Sequence, residues 1–375
     1  MAGIKRFFEC YVPVTVCNLN CHYCYIIQEE RRSMKLAELK YSPEHIAKAL
    51  NYNRVGGPCL ISICGGGETL AQKEVVDIAY NLLKEGHYVN ITTNGTLSNR
   101  FDDLIEKCDR YLEQLHISFS LHYFELMRLN LLDVFFENIN KLRRAGVSVL
   151  LQMNLCDEYI SVIDEIKELS YQKVGAYPQI AVTRNEKTDP ISIYSRLTPK
   201  EYLSEGERFD SPLFKFTFEN FNVKRKEFCY AGDWSGTLDL GTGLLKKCYN
   251  EHGGINIFED VDKPIPFKAI GNNCKSKYCV NSSHFMSLGV IPEIETPSYA
   301  CLRNRICEDG SEWMSSTMKA FLSTKLSESN EEYTRKQKRE VNKQYKTPFL
   351  IKIKATIKKA LPRSIVEKFD TLKSK

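Results

Sequence analysis

Between Phe7 and Glu186 the chain alternates a short apolar run with a longer amphipathic stretch, and does so in six repeats. Nothing else in the sequence constrains the fold as much, because parallel strands need long crossover connections, and those place helices on the outside of a sheet. The strand runs are Phe7–Val16, Cys59–Cys64, Tyr88–Thr93, Leu115–Leu121, Val147–Leu155 and Gln179–Arg184, rich in β-branched and aromatic residues. Helical periodicity marks Pro43–Asn53, Gln72–Lys84, Ser98–Cys108, Phe124–Ala145 and Ser161–Gln172. Ser42-Pro43 reads as a helix start and Gly146 as a helix stop. Six units are too few for a closed eight-stranded barrel, so the expected fold is α/β, an open, partial (β/α)6 TIM-like barrel.

In such sheets chemistry gathers at the C-terminal strand ends, and the unusual residues fall there. Cys17-Asn18-Leu19-Asn20-Cys21-His22-Tyr23-Cys24 follows the first strand, Gly65-Gly66-Gly67-Glu68-Thr69 the second, and Asn94-Gly95-Thr96 the third. Strand four carries Ser118 and Ser120 and ends in His122, strand five ends near Asn154, and strand six ends at Arg184. Glycine-rich loops admit a ligand close to the backbone.

Fourteen cysteines in 375 residues are the compositional outlier. The opening MAGIKRFFECYVPV has no apolar segment followed by a small-residue cleavage site, and no run approaches the ~18 uncharged apolar residues of a membrane span. The expectation is a cytoplasmic protein in which clustered thiols serve metals or catalysis rather than disulfides. Cys17, Cys21 and Cys24, spaced C-x3-C-x2-C, can each ligate a different iron of one cubane. A complete [4Fe–4S] site takes four cysteines, so three leave one iron open. A structural zinc knuckle shares the C-x2-C spacing but wants four protein ligands, with His22 as the available fourth. Spacing alone leaves both readings standing.

With Tyr23 directly before the last cysteine, on the loop after the first barrel strand, residues 7 to 190 resemble the radical S-adenosylmethionine (SAM) enzymes. The resemblance implies Cys17, Cys21 and Cys24 as ligands of a catalytic [4Fe–4S] cluster whose open iron is chelated by SAM. It implies that Tyr23 fills the aromatic slot and that Gly66-Gly67-Glu68 meets the methionyl amino group. Ser118 or Ser120 and Asn154 would contact the ribose or carboxylate. One electron would cleave the C5′–S bond, and the resulting 5′-deoxyadenosyl radical would take hydrogen from a substrate. His122 and Arg184 project from strand ends as candidate substrate contacts, with surface salt bridging as the competing account. His45, His87 and His116 read as bland histidines, and Cys10, Cys59, Cys64, Cys108 and Cys156 as small core residues.

A second cysteine group begins at Cys229 and runs through a Gly-punctuated, strand-like stretch to Cys248, then to Cys274 and Cys279. A hairpin would bring Cys229 and Cys248 to one end, and the later pair can close the site. This stretch resembles the twitch or SPASM-like extension, which implies a fully ligated auxiliary [4Fe–4S] cluster suited to electron transfer. C-x4-C between Cys274 and Cys279 departs from the tighter spacing of that pattern, and Cys301 and Cys307 are spare. Structural zinc is the alternative. The expected organisation is residues 1–190 as the barrel, 191–320 as a small α+β iron–sulfur domain, and 321–375 as a basic helical tail.

The formal charge of +5 conceals a split: residues 321–375 hold fifteen Lys or Arg against six Asp or Glu, leaving the preceding body mildly acidic. The tail interleaves apolar and basic residues, as a helix lying on an anionic membrane surface does; a disordered or packed end fits equally, and sparse aromatics argue against nucleic acid. From the short stretch before strand one, a leader-peptide-binding domain is not expected here, although a separate protein can bind a leader. The expected activity is a two-electron oxidation or rearrangement of a carbohydrate-like small molecule, with a flavodoxin, ferredoxin or reductase as electron donor. A peptide maturase forming a crosslink, epimer or thioether, and a zinc-scaffolded binding protein, are the alternatives.

Overall fold

The structure, a computed structural model, describes residues 3–343. The basic segment 345–375, on which the membrane expectation falls, lies outside the described residues. Among those described, no helix is long and apolar enough to cross a membrane.

Six parallel strands form the expected partial barrel: β1 (Arg6–Val12), β2 (Cys59–Gly65), β3 (Tyr88–Thr93), β4 (Leu115–Ser120), β5 (Ser148–Leu155) and β6 (Gln179–Val182). A two-stranded hairpin follows, β7 (Arg184–Asn185) with β8 (Ser192–Ile193). The later stretch contributes β9 (Ser235–Asp239), β10 (Leu244–Lys246) and β11 (Ile255–Asn256). The main sheet runs β11-β10-β9-β1-β2-β3-β4-β5-β6. β9 pairs parallel with β1, Phe7 opposite Ser235, and turns back antiparallel into β10. The hairpin expected between Cys229 and Cys248 is therefore present, and it extends the sheet at its first strand.

Alternation sorts each strand into two faces. Phe8, Cys10, Ile61, Ile63, Val89, Ile91, Ile117 and Phe119 pack outward against helices such as Glu74–Lys84 and Leu132–Arg144 in one large apolar core. The inward face is layered. Phe7, Leu60 and Tyr88 stand in register and belong to a second apolar cluster closed by C-terminal residues, with Phe285 edge-on to Phe7 and Phe321 stacked on Tyr88 at 3.6 Å. Two residues further along each strand the layer is polar: Glu9, Ser62, Asn90, His116 and Ser148 are in register across five strands and all buried. Buried polar side chains at that density are costly to a fold and mark a place where function competes with stability.

Several expected elements come out differently: Pro43–Asn53 is two helices, Pro43–Ala49 and Tyr52–Val55, and β6 ends at Val182 rather than Arg184. β1 ends at Val12 rather than Val16, because Pro13 follows and the carbonyls of Val14 and Val16 accept from Gly67 and Glu68 instead of continuing a ladder. The helix expected over Phe124–Ala145 is two helices, Tyr123–Arg128 and Leu132–Arg144, separated at Asn130, whose φ of 54° breaks the spiral. Asparagine tolerates that left-handed region better than most residues.

Candidate functional site

The loop bearing Cys17, Cys21 and Cys24 is held from below by backbone. Gly67 N–H donates to the Val14 carbonyl and Glu68 N–H to the Val16 carbonyl, both at 2.8 Å. A Cβ on Gly67 would collide with the Val16 carbonyl oxygen, so the glycine is required by the approach of one loop to another. Glu68 is 2% exposed, and its carboxylate accepts from Thr93 Oγ1 at 2.7 Å, Asn94 N at 2.7 Å and Leu70 N at 2.9 Å. Burial raises its pKa, opposed by those donors. Asn94 Nδ2 in turn reaches Asn18 Oδ1 at 2.8 Å and Cys17 Sγ at 3.5 Å. The loops after β1, β2 and β3 are thus laced into one support. Arg32 adds a guanidinium contact to the Cys17 carbonyl.

Above this support lies a cavity of about 920 Å³. Its wall contains Cys17, Cys21, Tyr23, Cys24, Gly66, Gly67, Glu68, Ser120, His122, Asn154 and Arg184. Ser118 shares the inward face but sits deeper, donating to Asn90 Oδ1 at 2.8 Å, and is not part of that wall. Tyr23 OH lies 2.8 Å from His122 Nδ1 and 3.0 Å from Tyr159 OH. Burial holds His122 down to about 4, so its imidazole is neutral. Arg184 pairs with Glu186 at 2.9 Å. Burial, together with the charges of Cys17 and Cys24, pushes the Cys21 thiol up, as expected of ligands crowded together before a metal deprotonates them.

The second group gathers around the β9–β10 hairpin. Cys229 exchanges backbone hydrogen bonds with Gly271, three residues before Cys274, and Cys248 follows β10 by two residues. The four thiols feel one another: burial first, then Cys248, Cys229 and Cys274, push Cys279 well above its ordinary value, and burial with Cys248 and Cys274 pushes Cys229 up to about 12. All four pack against the second apolar cluster, and Cys279 reaches the cavity wall. Cys301 is exposed, while Cys307 is buried with its thiol donating to the Val174 carbonyl at 3.4 Å.

Several wall residues escaped local pattern reading. Asn94 was legible only as a loop residue, although it donates to a cluster-loop sulfur. Glu9, a lone acid inside an apolar strand, lines the cavity and accepts from Cys64 Sγ at 3.4 Å and Asn281 Nδ2 at 3.5 Å. Cys64 is therefore on the cavity wall, whereas Cys10, Cys59, Cys108 and Cys156 are core as expected. Tyr249 and Asn281 join each other at 3.1 Å on the same wall.

Residues 11–190 match the model of the Radical SAM superfamily. Residues 11–190 are thus a Radical SAM domain, and the chain is an enzyme. Over 94 residues it is 35% identical to the 7-carboxy-7-deazaguanine synthase of Methanospirillum hungatei, a match covering 25% of this chain and 36% of that protein. The chain thus spans little more than a third of that curated relative. Among solved structures, Streptococcus suis SuiB bound to precursor peptide SuiA is similar at 15% identity and a TM-score of 0.49, covering 71% of this chain and 65% of that one. Native anSMEcpe with bound AdoMet is similar at 16% identity and a TM-score of 0.48, covering 93% and 100%.

A Radical SAM domain implies a [4Fe–4S] cluster held by three cysteines, and SAM. The radical SAM loop fits them: three thiols share one cavity wall, their charges are mutually felt, and Asn94 offers an N–H to one sulfur. Among the described residues, no three His, Cys, Asp or Glu side chains group tightly enough for a single ion. A cubane asks for a wider set, one thiolate per iron.

Proposed function

We propose that this chain is a radical SAM oxidoreductase that abstracts hydrogen from a carbohydrate-like metabolite, in a net two-electron oxidation or a rearrangement. The observation that carries the reading is the single cavity whose wall contains Cys17, Cys21 and Cys24 on one side and Cys279 on the other. When bound, the cluster and SAM supply one-electron cleavage of the sulfonium and hence a 5′-deoxyadenosyl radical.

The residues do the rest. Cys17, Cys21 and Cys24 would hold three irons; the Gly66-Gly67-Glu68 segment and Asn94 keep their loop in place; Ser120 and Asn154, on the cavity wall, would contact SAM's ribose or carboxylate. Tyr23 and His122 hold each other as neutral groups beside the cluster loop, where they can orient the adenosyl group without adding charge. The buried apolar cluster beneath the cavity closes its lower end to solvent, and a radical site requires such shielding. Cys229, Cys248, Cys274 and Cys279 would hold an auxiliary [4Fe–4S] cluster within residues 191–320, which would supply an electron acceptor; Cys279 brings that group to the cavity wall. A flavodoxin- or ferredoxin-type donor serves the first cluster.

Anaerobic reconstitution tests this directly: about eight irons and eight sulfides per chain are expected, at four per cubane, with 5′-deoxyadenosine released on reduction. Zinc in place of iron, or no nucleoside release from a fully loaded protein, would contradict it.

A further inference from the structure

At the inner end of the cavity the wall is formed by Glu9, Asn281, Ser283 and His284. Directly behind His284 lies Arg303, on the short helix Tyr299–Arg303 and 1% exposed. Its guanidinium carbon sits 3.7 Å from the centre of the Tyr299 ring, and Nη2 is 3.4 Å from His284 Nδ1. Among the described residues it has no ion pair and no acceptor oxygen; Nη1, the Tyr299 hydroxyl and both His116 ring nitrogens are buried without partners. A buried charge left unpaired costs several kcal/mol, so a guanidinium kept in this state points to a partner that arrives from elsewhere.

The surrounding charges indicate what that partner is. Burial first, then Arg303, lowers His116 to about 3 and His284 well below its ordinary value, so both imidazoles are neutral. The carboxyl whose charge Arg303 feels is Glu9, and burial pushes Glu9 up to about 7, leaving it partly protonated at neutral pH. The inner end therefore holds one full positive charge against a fraction of a negative one. Amide and hydroxyl donors stand at the wall, and His284 Nδ1 donates to Asn281 Oδ1 at 2.6 Å, with the Arg303 guanidinium packed against the same ring edge. A monoanion balances this arrangement; a dianion would be repelled by Glu9.

Resting on the reading of this cavity as the reaction chamber, we propose that its inner end is a subsite for a carboxylate group of the substrate, met by His284, Asn281 and Ser283, with Arg303 as a positioning residue behind His284. The substrate class narrows to a polar metabolite bearing one carboxylate, its opposite end presented to the SAM side of the cavity. The geometry makes the site selective for charge, since neutral donors at the wall would serve an amide as well, and only Arg303 distinguishes the anion.

The test uses reconstituted enzyme saturated with SAM, so that the methionyl carboxylate site is filled. Equilibrium dialysis compares radiolabelled acetate with acetamide at constant ionic strength. Acetate is expected to bind one per chain and at least tenfold more tightly than acetamide. Arg303→Gln should weaken acetate at least tenfold, while Arg303→Lys, which keeps the charge, should recover most of that loss. Glu9→Gln removes the opposing carboxyl and should tighten acetate about threefold or more, and it decides the matter if the Arg303 variants do not fold. Equal binding of acetate and acetamide, wild-type acetate affinity in Arg303→Gln, or unchanged or lost binding in Glu9→Gln would overturn the subsite. Release of 5′-deoxyadenosine is measured on the same samples. Cleavage without acetate binding retires the subsite alone; acetate binding without cleavage supports the subsite and retires the radical reading.

Discussion

Cys17, Cys21 and Cys24 lie within eight residues on one loop, whereas Cys229, Cys248, Cys274 and Cys279 are drawn from a hairpin and later loops spread over fifty-one. The first group is held by hydrogen bonds from neighbouring loops, through Gly67, Glu68 and Asn94, at the rim of a cavity. The second is backed by the apolar cluster that fills the barrel's lower interior and reaches the cavity only at Cys279. Three thiols on polar, adjustable loops suit a cluster that must bind and release a ligand. Four backed by packed apolar side chains suit one that stays closed.

The largest effect should come from breaking the first group. Changing Cys17, Cys21 and Cys24 together to Ala should abolish 5′-deoxyadenosine release and remove about four irons, leaving the second group loaded. Cys279→Ser should do the reverse: about half the iron is lost, yet SAM cleavage persists, as chromatography of the nucleoside will show. If cleavage falls as far as in the triple variant, the two groups are not separable.

Asn94→Ala sharpens the comparison, because the first group has a side-chain donor to a sulfur in Asn94. Loss of such an outer contact typically costs 10- to 100-fold in metal affinity or activity, measurable by iron chelation and by SAM cleavage. Gly67→Ala should destabilise by about 1–3 kcal/mol through overpacking against Val16, read as a lowered denaturation midpoint together with weakened SAM binding.

A further effect is a pH dependence of stability. Glu9 is raised from its ordinary range to about 7, so between these values the folded state binds more protons than the unfolded one. Stability is then present at low pH and lost as pH rises through about 7, by at most about 3 kcal/mol. Glu9→Gln should flatten that slope in denaturation series between pH 5 and 8; an unchanged slope would assign it to other groups.

Much of the barrel was legible because strand and crossover periodicities are local. β3 falls on Tyr88–Thr93 as read, and the other strands begin within one residue of expectation. The misses are tertiary. β1 is cut short by a loop fifty residues away that takes its carbonyls, and Asn130 breaks a helix whose apolar spacing runs on unbroken. Alternation put Ser118 and Ser120 on one face but carries no measure of depth, which separates the cavity wall from the layer beneath. Glu9 and Arg303 are nearly three hundred residues apart, and His116 reads as an ordinary strand histidine until its unpartnered nitrogens are seen. Thiol spacing was the clearest signal, because metal chemistry imposes it within a single loop.

The difference between an open and a closed cluster is tested most directly by electron paramagnetic resonance of the reduced, reconstituted protein with and without SAM. Two overlapping cluster signals are expected, and adding SAM should shift one of them, the one lost in the triple cysteine variant, while leaving the other unchanged. A single signal, or two that both ignore SAM, would contradict the assignment of an open site to Cys17, Cys21 and Cys24 and a closed one to Cys229, Cys248, Cys274 and Cys279.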